Sequence, residues 1–326
     1  MYYELMGFLY VFVASLRSIV KKMIKMDVMH IQLISSLVGC LVFSMIVYYK
    51  YKKNPEEFKK KKNSYNLSDN PFENILTIPS FKIGLSGALL SLLSLFTLKK
   101  LPFSFVVPIG LSWLFFALFF NKIMRNIPIT MDKIISILIV IFGVFVMQYH
   151  HLFHNTISKD VRKNLLLLCS LLIISKIFKA YQVTFIKEIE EYTNYNEVAM
   201  MDWGILSILS VLFYFIYLFS PIKNWVVNIP KTSEILKLIL IDIVLITLYV
   251  TLRFDSLQHL SESTFTLITS TKVIISVLFG FLFFSEKITM NQIIGSIIII
   301  AGIYYKNLVI DLHNKFFYDT SKHILD

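Results

Sequence analysis

Ten apolar runs, each long enough to cross a lipid bilayer, leave this chain of 326 residues few folds to choose from. They lie near 5–22, 30–49, 81–98, 104–121, 130–149, 165–186, 198–219, 235–252, 264–284 and 289–307. A hydrocarbon core is crossed by about 17–25 helical residues, and it holds no water, so each backbone N–H and C=O must pair inside the segment. The sequence therefore predicts an all-α polytopic membrane protein with ten transmembrane helices. Composition agrees: 56% hydrophobic residues, 16% charged residues and a mean hydropathy of +0.68 give more apolar surface than a water-soluble core of this length buries. The first run lacks the basic start and small-residue cleavage site of a removable signal, so it is expected to stay as a span.

Two stretches share their wording. Phe119-Phe120 is followed, after a polar gap, by ITMDKIISILIVIFGVFV, and Phe283-Phe284, after a shorter gap, by ITMNQIIGSIIIIAGIYY. Ile129-Thr130-Met131 answers Ile288-Thr289-Met290, and Gly143 answers Gly302. The expectation is one unit written twice: a five-helix repeat over 1–149, a linker at 150–163, a second five-helix repeat over 164–307 and a cytosolic tail at 308–326. Five is odd, so the second copy would enter from the opposite side, giving two inverted repeats with a substrate path between them.

The loop at 50–74 carries seven lysines, at 50, 52, 53 and 59–62. The positive-inside tendency places it, and with it both termini, in the cytosol. Arg17, Lys21, Lys22 and Lys25, at the other end of the first hairpin, partly oppose that orientation. The sequon Asn66-Leu67-Ser68 lies in the same loop and would then stay unmodified. The net charge of +11 is spread over loops instead of gathered on one face, which argues against nucleic acid as a partner. Cys40 and Cys169 fall inside apolar runs and read as packing residues.

Charges inside the spans carry the functional signal, because a Lys or Asp at the centre of a membrane helix costs about 2.5–3.5 kcal/mol on insertion scales and so usually faces an interior or a wet cavity. Lys272 lies mid-way along the ninth run, Asp242 at similar depth in the eighth, and Lys176 and Lys179, three apart and on one face, in the sixth. Three ammonium groups around a central cavity would attract an anion, and phosphate is a common metabolite anion needing several positive partners. Each has a structural alternative: Lys272 and Asp242 as an ion pair locking two helices, Lys176 and Lys179 as stems snorkelling to headgroups. Asp202 and Arg253 read as interfacial. Thr269, Ser270 and Thr271 head a hydroxyl-rich stripe, with Ser263, Thr264, Thr266 and Ser276, that either hydrates a groove or bonds back to its own helix. Pro108 should kink the fourth span as a hinge, and Gly143, Gly295 and Gly302 should let helices approach closely.

These residues resemble the drug/metabolite transporter superfamily. FFSEKITMNQIIGSIIIIAGIYY, with Glu286, Gly295 and Gly302, looks like the end of its second repeat, and SFVVPIGLSWLFFALFF, with Pro108, looks like its fourth span. The resemblance implies a carrier and not an enzyme. Lys272 in STKVIIS is similar to the nucleotide-sugar and triose-phosphate translocator branch. Val273 stands where sugar-phosphate translocators carry a second base, and no base precedes Pro108. Glu286 and its compact turn look equally like the EamA-like exporter branch.

The resulting expectation is a secondary transporter, working by alternating access as an antiporter of a phosphorylated anionic metabolite such as a nucleotide sugar or sugar phosphate, bound by Lys272, Lys179 and Lys176 with Asp242 and Thr269–Thr271. The alternative is an EamA-type exporter of amino acids or other small metabolites; a membrane-embedded transferase is a third. No Gly-rich phosphate loop followed by Lys-Ser/Thr is present, which argues against an ATP-driven pump. No cofactor or metal is expected, and His150, His151 and His154 read as an interfacial cluster. The partners are the bilayer and a small anionic solute, with homodimerisation open, and the membrane is either an organelle's (endoplasmic reticulum, Golgi or plastid-like) or the plasma membrane.

Overall fold

The computed structural model describes residues 2–59, 65–110, 112–129, 131–153, 164–219, 230–259, 265, 268–269, 271–286, 288–302 and 305. Among them the secondary structure is helical throughout, without a strand. The helices are α1 (Tyr2–Met23), α2 (Val28–Lys53), α3 (Ile78–Lys100), α4 (Phe103–Gly110), α5 (Trp113–Arg125), α6 (Met131–Phe153), α7 (Leu165–Ile189), α8 (Tyr195–Phe219), α9 (Thr232–His259), α10 (Lys272–Phe284) and α11 (Met290–Gly302). Two short 3-10 helices, Pro55–Phe58 and Glu73–Leu76, lie between α2 and α3.

This corrects the expected ten spans in two inverted five-helix repeats. Among the described residues, six helices are long and apolar enough to cross a membrane: α1, α2, α3, α7, α8 and the Thr232–Arg253 part of α9. The run at 104–121 is divided between α4 and α5, with the break following Pro108 and Gly110, residues that respectively lack a backbone donor and favour non-helical geometry. Among the described residues α6 has an apolar stretch at Ile134–Met147, α10 follows a turn at Thr271 and helical residues at 265, 268 and 269, and Tyr305 is helical beyond α11. Hydropathy reported where the chain is apolar but not where its helices start and stop. The anticipated linker begins inside α6, which continues to Phe153; 154–163 and the tail from 306 onward lie outside the described residues.

The packing joins the earlier and later parts of the chain. α1 packs on α9, α2 on α8, α3 on α7 and α8, α4 on α10, and α5 on α7. One apolar cluster gathers Ile19, Ile31, Leu98, Phe103, Leu172 and Leu238 around the end of the bundle where α1 stops and α2 starts. A second gathers Phe43, Phe58, Ile83, Ile189, Met200 and Ile246 around the opposite end, where α2 stops and α3 starts. Outward faces stay apolar: Met45 is 70% exposed and Leu240 58%, as lipid-facing side chains of a membrane bundle are.

α6 and α11 meet backbone to backbone. A Cβ on Gly143 would stand 2.9 Å from the Gly295 carbonyl oxygen, and one on Gly302 would meet Ile139 at 2.8 Å. Met147 lies against Gly295 while Ile139 lies against Gly302, so the two helices run antiparallel. The glycines are here for close approach, as their spacing in the sequence predicts. α5 and α10 each end in a left-handed residue, Asn126 and Ser285, both with φ 52°. The following N–H groups, of Ile127 and Glu286, return to the carbonyls of Asn121 and Gly280, closing the last turn of each helix.

Candidate functional site

A cavity of about 100 Å3 lies between α1, α2, α3, α7, α8 and α9. α1 contributes Arg17 and Lys21, four residues apart and therefore on one face. α8 contributes Asp202 and Trp203, and α9 contributes Tyr249 and Arg253. Both signs of charge thus meet in one cavity between the helices.

Arg17 is held on several sides. Its Nε lies 3.4 Å from Oδ1 of Asp242, and its guanidinium carbon lies 5.4 Å from the Trp203 ring centre and 5.6 Å from that of Tyr249. A cation between two aromatic faces gains from both ring quadrupoles, and more so away from water. Asp242, 1% exposed, accepts a 2.5 Å hydrogen bond from Ser35 Oγ on its other oxygen. Asp242 thus pairs with Arg17, a residue placed by sequence at the edge of its span, and not with Lys272, the partner offered as a structural alternative.

The opposite wall is polar as well. Gln182 Nε2 donates to Asp202 Oδ1 at 3.0 Å and to the Ile83 carbonyl at 3.4 Å. Gln32 donates to Ser210 at 3.3 Å and accepts from Ser91. Arg253 lies within electrostatic reach of Asp202 and Glu190. Glu190, the residue capping α7 beyond its span, has a buried Oε1 with no hydrogen-bond partner among the described residues. Burial pushes its carboxyl up to about 7, against the pull of Arg253 and Lys187.

The three lysines singled out from the sequence form a neighbouring group and do not line the cavity itself. Lys176 donates to Ser94 Oγ at 3.1 Å, and Ser94 in turn to Ser175 at 3.1 Å. Lys179 Nζ stands 4.3 Å from the Trp113 ring centre. Lys272, the first residue of α10, is within electrostatic reach of both lysines and of Arg17. The hydroxyls beside it turn back on their own chain: Thr269 donates to the Phe265 carbonyl and Thr271 to that of Ile268 at 2.6 Å. Ser270, Ser263, Thr264 and Thr266 lie outside the described residues, as do the side chains of Pro108, His150 and His151. His154 lies outside them entirely.

Sequence reasoning passed over Arg17 and Lys21, and set Asp202 and Arg253 aside as interfacial. The signal that would have found them is the unmatched Asp242. A buried carboxylate demands a cation, and Arg17 and Lys21 are the bases of the first span that a 3.6-residue period places on one stripe.

At the two ends, connecting segments bind to helix termini. Glu286 Oε1 accepts the N–H of Phe103 at 2.8 Å, and Lys22 Nζ donates to the Leu101 carbonyl at 2.7 Å. At the other end Asn74 Nδ2 donates to the fully buried Glu197 at 2.6 Å, beside a 2.6 Å bond from Thr193. Asn74 belongs to the lysine-rich segment at 50–74, in which Asn74 and Phe58 are fully buried.

Comparison with known proteins follows this geometry. No curated protein matches the sequence. A crystal structure of a protein 13% identical in sequence superposes over 95% of this chain and 99% of its own with a TM-score of 0.62, a likeness of fold alone. A profile of the EamA-like transporter family matches residues 1–149 and 166–308, nearly the whole chain. The chain belongs to the EamA-like transporter family.

Proposed function

We propose that this protein moves a small charged metabolite, of the amino acid class, through the cavity bounded by Arg17, Lys21, Asp202 and Arg253. As a family member it is a secondary transporter of small metabolites across a membrane, not an enzyme. The observation that carries the substrate class is the mix of charges around the cavity, where Arg17, Lys21 and Arg253 stand with Asp202. Walls bearing both cations and carboxylates suit a solute that bears both charges.

A second reading rests on Lys176, Lys179 and Lys272. Three ammonium groups this close favour an anion, and a small sugar phosphate exchanged for another anion would fit that arrangement. Proteoliposome counterflow separates the two. Vesicles preloaded with small amino acids should accelerate uptake of labelled amino acid, while preloaded sugar phosphates and nucleotide sugars should not. Acceleration by the phosphorylated solutes alone would replace the first reading with the second.

A further inference from the structure

The geometry points to Lys21 as the residue that receives the carboxylate of the transported solute, with Asp202 on the facing wall receiving its ammonium group. This assignment rests on the amino acid reading above.

Lys21 is 7% exposed and lines the cavity. Among the described residues its ammonium makes no hydrogen bond, whereas Arg17 bonds Asp242, Lys22 the Leu101 carbonyl, Lys99 that of Ile24 and Lys176 Ser94. An ammonium that lines a cavity and makes no hydrogen bond to the protein is open to an acceptor arriving there. Asp242 is not that acceptor. It holds Lys21 by charge, but its hydrogen bonds go to Arg17 and Ser35. The acceptor therefore comes from what enters the cavity.

The chemistry of that acceptor follows from the other donors nearby, which are already engaged. Ser35 donates to Asp242, Ser36 to the Leu33 carbonyl at 2.9 Å, and Gln32 to Ser210. One ammonium remains to meet the incoming group. A carboxylate accepts from that ammonium, with the guanidinium groups of Arg17 and Arg253 in the same cavity adding to the positive field. Across the cavity Asp202 is fixed by Gln182 and offers an acceptor site to a cationic group. A zwitterion laid from Lys21 to Asp202 satisfies both.

The test uses the full-length protein and its Lys21→Met and Lys21→Arg variants in proteoliposomes, with glycine, L-alanine, L-serine and L-threonine as probes and L-alanine amide, which lacks the carboxylate, as competitor. The wild-type protein should take up at least one of the four and be inhibited only weakly by the amide. Lys21→Met should raise KM for that probe by at least tenfold and melt at a temperature close to that of wild type. Lys21→Arg should keep part of the affinity. Unchanged KM in Lys21→Met, or a lowered melting temperature showing that the lysine serves the fold, would overturn the assignment while leaving the amino acid reading intact. Failure of the wild-type protein to carry any of the four would overturn that reading and the assignment together.

Discussion

Gly87 lies directly against the carboxylate of Asp202: a Cβ at this position would stand 2.7 Å from Oδ1 of Asp202 and equally close to Nε2 of Gln182. The glycine makes room for the hydrogen bond that fixes the carboxylate wall of the cavity. Gly87→Val should force the pair apart and cost about one buried hydrogen bond, on the order of 1–1.5 kcal/mol, or roughly a tenfold rise in KM for the carried amino acid. Uptake kinetics in proteoliposomes check this, with the melting temperature as a control for the fold.

Asp242 anchors Arg17 between Trp203 and Tyr249, so its loss strands a guanidinium inside the bundle. Asp242→Asn should lower stability by about 3–5 kcal/mol, the usual cost of breaking a buried pair on one side. The double variant Arg17→Met/Asp242→Leu should recover most of that loss while transporting poorly. Thermal melting in detergent followed by intrinsic fluorescence distinguishes the two.

Glu190 gives the protein a pH signature. Its carboxyl is raised from an ordinary 4.5 to about 7 in the folded chain. Below pH 4.5 both folded and unfolded forms hold the proton, and stability is indifferent to it. Between 4.5 and 7 the unfolded form has released the proton and the folded form has not, so stability falls as pH rises; above 7 the penalty is complete and constant. Melting temperature measured from pH 4 to 8 should show this decline, and Glu190→Gln should flatten it.

Asn74 pins the segment between α2 and α3 to Glu197. Asn74→Ala removes a donor from a fully buried carboxylate, at a cost of about 1–3 kcal/mol, and should free the segment. Chymotrypsin should then cut at Tyr65, Leu67 or Phe72 faster than in the wild-type protein, a change readable by mass spectrometry of the fragments.

Much of the architecture can be read from residue types alone. Apolar run length identifies a helical membrane protein, and the glycines at 143, 295 and 302 announce the backbone contact that they make. The turns after Phe119-Phe120 and Phe283-Phe284 are marked by polar residues, and left-handed residues close both helices there. What escapes is whatever depends on helix continuity or on distant partners. Pro108 and Gly110 precede the turn at Ser112 that divides one apolar run between two helices, and a turn at Thr271 precedes Lys272 within another. Arg17 looked like the charged flank of a span because its partner, Asp242, is 225 positions away. Lys272 drew attention through its apolar surroundings, which reveal burial but not which cavity a side chain faces.

The glycine contact between α6 and α11 bears on how the carrier moves. With Gly143 against the Gly295 carbonyl and Met147 pressed on Gly295, axial slippage of either helix would drive a side chain into the opposing main chain. The pair is thus a keel, and bulk introduced at position 143 or 295 should prise the two helices apart.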